Sequence, residues 1–154
     1  MTTTVDTNVL VYASDTGAPE HARAQALLEH LGAGPDLVVL LWPTLLGYLR
    51  IVTHPSICGA PLSFDVARAN VDAFLGLAHV RSASETPEFW PAFTRVAADV
   101  PVRGNLVPDA HLVALMRTHG VNHIWSRDRD LRRFDAITVS DPFDDRYESG
   151  FPRR

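Results

Sequence analysis

Four aspartates carry the chemistry that this chain can do. Asp6 ends an expected first strand, Asp109 follows Pro108 at the expected start of a helix, and Asp128 and Asp130 follow directly on an expected late strand. Carboxylates gathered at one place repel one another and raise each other's pKa. A divalent cation removes that penalty, and hard oxygen ligands suit magnesium or manganese. One or two such ions orient a water, lower its pKa and stabilise a phosphoryl transition state. The same residues also fit a plainer role, because an aspartate at a strand end or helix start commonly caps the helix. Type and spacing leave both readings open.

The elements that must position these residues alternate strand with helix. Strands are expected over 2–5, 37–41, 79–82, 122–126 and 137–139, the second being the continuous apolar run of a strand buried on both faces. Helices are expected over 8–14, 19–31, 44–53, 63–77, 86–99 and 109–119, with a short helical turn over 128–134. The inward faces read as Ala22, Ala26, Leu27 and Leu31, then Leu45, Leu46, Leu49 and Val52, then Val66, Ala73, Phe74 and Leu77. This order implies an α/β fold, a central parallel β-sheet flanked by helices, with ligands held beyond the carboxyl ends of the strands. One domain is expected over 1–143, and 144–154 is expected to be a polar, frayed tail.

Composition narrows the chemistry. With 154 residues, 46% hydrophobic and 21% charged, the chain fits one ordinary soluble domain. All 14 basic residues are Arg. Without Lys there is no Walker-A phosphate loop, no Schiff-base lysine and no kinase strand lysine. Cys58 is the single cysteine, which excludes an internal disulfide and a zinc site of paired thiolates. The first residues lack a basic segment followed by an apolar one, so no secretory signal is expected. The apolar stretch 37–49 is too short to cross a bilayer and contains Pro43. A cytoplasmic protein with no membrane contact is expected.

The local words are more specific than the spacing. Val5-Asp6-Thr7-Asn8-Val9-Leu10 comes first, and Gly104-Asn105-Leu106-Val107-Pro108-Asp109-Ala110-His111-Leu112 follows. Ser126-Arg127-Asp128-Arg129-Asp130-Leu131-Arg132-Arg133-Phe134 comes third. In that order they resemble the PIN-domain family, most closely VapC-type ribonuclease toxins of bacterial toxin–antitoxin pairs. Leu49-Arg50-Ile51-Val52-Thr53-His54-Pro55 and Asp141-Pro142-Phe143 resemble one subgroup of those toxins. The resemblance spans about residues 2–143 and implies a PIN-like domain with magnesium-dependent endoribonuclease activity, manganese being the other candidate ion. It implies Asp6 and Asp109 as metal ligands and Asp128 as the third catalytic acid, with Asn8 and Asp130 supporting them from behind. It further implies an RNA substrate, a VapB-like antitoxin and a homodimer, for which the 40–52 stretch and the 19–31 helix offer surfaces.

Two positions depart from the family pattern. Many PIN nucleases carry a Glu on the helix that follows the second strand. Here that place is Gly47, and no acid lies between Asp36 and Asp65. The family also places a small hydroxyl residue just before the acid matched by Asp128, where this chain has Arg127. Arg127, Arg129 and Arg132 are candidate RNA contacts, Arg127 alternatively neutralising the pocket. His111, His54, Trp42, Trp90 and Trp125 are read as packing residues, and Arg133 as part of a solvated face. Gly47 motivates one alternative, a catalytically inactive PIN-fold module that binds RNA or protein. A second, an aspartyl phosphotransferase built on Asp6, is disfavoured by Asn8 in place of a second Asp and by the missing Lys. The net charge of −4 fits a metal pocket: setting aside Asp6, Asp109, Asp128 and Asp130 leaves 14 acids against 14 Arg.

Overall fold

A computed structural model describes residues 1–152. Five strands form one parallel sheet: β1 (Thr2–Val5), β2 (Leu37–Leu41), β3 (Val80–Ala83), β4 (His123–Trp125) and β5 (Thr138–Ser140). Their spatial order is β3-β2-β1-β4-β5. Six helices connect them: α1 (Thr7–Ser14), α2 (His21–Ala33), α3 (Trp42–Val52), α4 (Phe64–Leu75), α5 (Phe89–Asp99) and α6 (Leu106–Thr118). The chain therefore builds outward from β1 to β3, then crosses to the other side of β1 to lay down β4 and β5. That reversal opens a crevice at the carboxyl ends of β1 and β4, where ligands of open α/β sheets bind.

Strand β2 shows why the sheet is covered on both faces. Val39 and Leu41 point into a core with α5 and α6, while Val38 and Leu40 point into a second core with α1, α2, α3 and α4. Helix α6 is the most deeply embedded, with Ala110 and 112–116 all buried. Gly120, at φ +66°, turns the chain after it, a conformation that favours glycine.

Several inward faces differ from expectation. On α2 the buried residues are Ala24, Leu27 and Leu31, and Ala22 and Ala26 are exposed. On α3, Leu46 is 59% exposed, while Leu45, Tyr48 and Val52 are buried. On α4, Ala67 is buried and Val71 and Phe74 pack beside it, whereas Val66 and Ala73 face out. In each case the core selects one narrow stripe from a helix with more apolar residues than one face can hold. Trp125 is buried as expected, but Trp90 is 65% exposed and stacks on Phe93.

The segment from 144 to 152 makes local contacts with the domain. Asp145–Tyr147 form a 3₁₀ turn. Tyr147 and Phe151 pack on Trp125, with ring centroids 5.3 and 5.4 Å away, and stack on each other. Arg23 donates to the carbonyls of Phe143 and Asp144 at 2.8 and 3.2 Å. Two aromatic residues of this polar segment pack on the Trp125 ring, which also meets His123 edge-on. Residues 153 and 154 of the expected tail lie outside the described residues.

Candidate active site

The site is assembled where β1 and β4 end. Val5 pairs with Trp125, so Asp6 and Ser126 stand level, one step past the two strands. The Asp6 backbone N–H still donates to the Trp125 carbonyl at 2.9 Å, which holds that level. Asp6 also caps α1: its Oδ1 accepts from the Thr7 backbone N–H at 2.7 Å. Its Oδ2 accepts from Ser126 Oγ at 2.6 Å and from Asn8 Nδ2 at 2.9 Å. Capping and site-building are thus one arrangement, and the two readings of Asp6 do not compete.

Ser126 is the residue that sequence reasoning missed. It is fully buried. Its hydroxyl donates to Asp6 and accepts from the Asp128 backbone N–H at 2.9 Å and from Asn8 Nδ2 at 3.2 Å. The small hydroxyl sought at position 127 is therefore supplied one residue earlier. Its signal was a serine closing the 122–126 strand, but only the β1–β4 register shows that it reaches Asp6. Asp128 Oδ1 accepts from the Asp130 backbone N–H at 2.8 Å, so Asp130 supports Asp128 through its backbone. The Asp130 side chain is exposed, 3.9 Å from Arg133.

Asp109 differs from the other acids. Helix α6 begins at Leu106, three residues before the expected start, so Asp109 lies inside the first turn rather than at its cap. Pro108 is tolerated there because first-turn N–H groups lack intrahelical partners. Among the described residues the Asp109 carboxylate accepts no hydrogen bond. Burial, then the charges of Asp128, Asp6 and Asp130, push its pKa up from 3.8 to about 6. Burial also raises the Asp6 carboxyl, against the hydrogen bonds of Ser126, Thr7 and Asn8. The structure therefore brings Asp6, Asp109, Asp128 and Asp130 into one negative field.

That donor set fits a hard divalent cation. A half-buried carboxylate with no hydrogen-bond donor, raised by burial and then by three neighbouring acids, is a group that a bound cation would stabilise. Among the described residues no three acidic, histidine or cysteine side chains stand close enough together to hold a metal ion between them. Magnesium suits such an open set, since it keeps several waters and needs only one or two carboxylates. Gly47 faces the same region: a Cβ there would stand 3.1 Å from Thr7 Oγ1, which itself donates to the Thr44 carbonyl. A side chain at 47 therefore requires Thr7 to move.

The arginines separate. Arg129 and Arg132 are exposed, Arg129 next to Asp128 in the chain and Arg132 within electrostatic reach of Asp144. Arg127 turns away from it: its guanidinium pairs with Glu20 and lies over the Phe143 ring, 5.3 Å from the centroid. Neutralisation of the pocket by Arg127 does not occur in this structure. His111 bonds Glu85 at 2.5 Å and packs edge-on to Phe89, apart from the acids.

A family model for the PIN domain matches residues 3–137. Ribonuclease VapC48 of Mycobacterium tuberculosis is 54% identical over 143 residues, covering 93% of this chain and 99% of that one. Among solved structures, VapBC2 from Rickettsia felis, bound to a promoter DNA fragment, aligns with a TM-score of 0.65 at 12% identity. It covers 91% of this chain and 98% of that one. Mycobacterium tuberculosis VapC20, a sarcin–ricin loop cleaving toxin, aligns at 0.61 and 19%, covering 84% and 92%. At those identities the two structures speak to the fold alone. Over nearly its whole length the chain belongs to the PIN-domain family, within its VapC branch.

Proposed function

We propose that the chain is a divalent-metal-dependent endoribonuclease, using Mg²⁺ or Mn²⁺, and the toxin of a VapBC-type pair. The observation that carries this is Asp109, a carboxylate without a hydrogen bond, pushed up to about 6 among three other acids. Asp6 and Asp109 would hold the ion, with Asp128 as the third catalytic acid. When bound, such an ion makes water a nucleophile near neutral pH and offsets charge on the phosphate. The protein's own part is positioning. Thr7, Asn8 and Ser126 fix both oxygens of Asp6. Ser126 and the Asp130 backbone hold the loop that carries Asp128. Arg129 and Arg132 offer cations to the RNA backbone at the pocket edge. In-line attack of water on phosphorus, with the 3′-oxygen leaving, gives a 5′-phosphate and a 3′-hydroxyl, the outcome implied by the family.

The partners belong to the same proposal. Structural neighbours include VapBC complexes, which supports a VapB-like antitoxin. Trp42 and Leu46, 38% and 59% exposed on α3, supply apolar surface for a homodimer. A cytoplasmic location without membrane contact is part of the same proposal; among the described residues no helix is long and apolar enough to cross a membrane.

The test is cleavage of a panel of structured RNAs with Mg²⁺, comparing wild type, Asp6→Asn and wild type with excess chelator. Cleavage is expected only in the first. Cleavage that persists in either control overturns the mechanism. Tight RNA binding without cleavage by wild type shows the inactive module instead.

A further inference from the structure

Arg127 is flanked by two site residues, Ser126 and Asp128, yet its side chain leaves the pocket. The Glu20 carboxylate receives it at the start of α2, and the Phe143 ring lies beneath it. Phe143 is itself held, edge-on to Tyr12 at 5.2 Å and by Arg23 on its carbonyl. Meanwhile the Arg127 backbone N–H donates to Asn8 Oδ1 at 3.4 Å. That contact acts together with the two bonds of Nδ2 to fix which way the Asn8 amide points. With Oδ1 turned to Arg127, Nδ2 faces Asp6 Oδ2 and Ser126 Oγ. Flipped, the amide would set an oxygen against the Asp6 carboxylate.

We infer that Glu20 and Arg127 form a brace that positions the acidic pocket through Asn8, so that Arg127 is a positioning residue rather than a phosphate contact. The inference rests on the ribonuclease reading for its effect on cleavage, but not for its effect on Asn8. The pair is partly exposed, with side chains 19% and 45% accessible, so it contributes little to global stability. Its consequence is local: releasing the guanidinium frees the 126–128 loop, and the Asn8 orientation and the Asp128 placement loosen together.

The experiment compares wild type with Arg127→Ala, Glu20→Gln, the double variant and Arg127→Lys. Four readouts are taken: hydrogen exchange of the Asn8 side-chain amide by NMR without metal or RNA, Mn²⁺ affinity by calorimetry, kcat and KM on a cleaved RNA, and the salt dependence of RNA binding in chelator. Arg127→Ala and Glu20→Gln should each speed Asn8 exchange and weaken Mn²⁺ binding and kcat by about tenfold, the lower end for groups that orient metal ligands. KM should stay unchanged, the double variant should be no worse than either single, and Arg127→Lys should restore most of the loss. Melting temperatures should stay within about 2 °C of wild type. Unchanged Asn8 exchange, together with weaker RNA binding and a salt slope reduced by about one in Arg127→Ala, overturns the brace and makes Arg127 a phosphate contact. If wild type cuts no RNA, the ribonuclease reading fails, and the Asn8 and Mn²⁺ readouts still decide the brace.

Discussion

Replacing Asp109 by Asn should make the metal-free protein more stable while abolishing RNA cleavage. The fold raises the Asp109 pKa from 3.8 to about 6. A carboxyl that binds its proton more tightly folded than unfolded opposes folding increasingly as pH rises above its unfolded pKa, and fully once pH exceeds its folded pKa. Its contribution is full below about pH 4 and is lost as pH rises through about 6. At about 1.4 kcal/mol per pKa unit the shift corresponds to about 3 kcal/mol. Asp109 is partly exposed, so solvent screening reduces this to about 1–2 kcal/mol. Asn keeps the shape and removes the charge, and no hydrogen bond is lost because Asp109 accepts none among the described residues. In chelator at pH 7.5, Asp109→Asn should therefore melt about 3–6 °C above wild type by calorimetry, and the gap should close towards pH 4. Millimolar Mg²⁺ should raise the melting temperature of wild type and leave the variant nearly unmoved. A variant no more stable than wild type at pH 7.5, or an advantage that persists unchanged at pH 4, would refute the like-charge pocket.

Other perturbations test different layers. Ser126→Ala removes a donor to Asp6 and an acceptor for the Asp128 N–H, and should cost about 1–3 kcal/mol in denaturant unfolding together with most of the cleavage rate. At Mg²⁺ concentrations below saturation cleavage should rise with pH through about 6 as free Asp109 ionises, and a flat profile between pH 5 and 7 under those conditions would count against Asp109 as a ligand. Phe151→Ser should uncover Trp125 and cost about 2 kcal/mol, seen as a lower urea midpoint. Gly120→Ala places a side chain at φ +66° and should cost about 1 kcal/mol.

Most of the fold was legible because periodicity and punctuation agree. The β1 and β2 boundaries match the expected 2–5 and 37–41, and Val38–Leu41 are buried on both faces as a continuous apolar run between turn signals suggests. Misplacements came where local signals are ambiguous. Pro108 suggested a helix start, yet it sits within the first turn of α6, and so Asp109 looked like a cap. The three acids were legible as residue types in ordered words, but their support was not. Ser126 reaches Asp6 only through a strand pairing between residues 120 apart, and Arg127 meets Glu20 across 107. The 144–152 segment reads as polar on average, and its two aromatics show their use only once Trp125 presents a face to them.

The sheet order has a consequence for synthesis. Strand β1 carries Asp6 and leaves the ribosome first, but one of its neighbours, β4, comes near the end. Until residues 123–126 have emerged and paired, Asp6 lacks its Ser126 partner and Asp128 does not exist. The aromatic anchors at 147 and 151, which cover the back of β4, arrive later still. A nascent chain therefore holds an incomplete pocket throughout the synthesis of residues 7–122, and the finished site appears only once β4 has paired with β1.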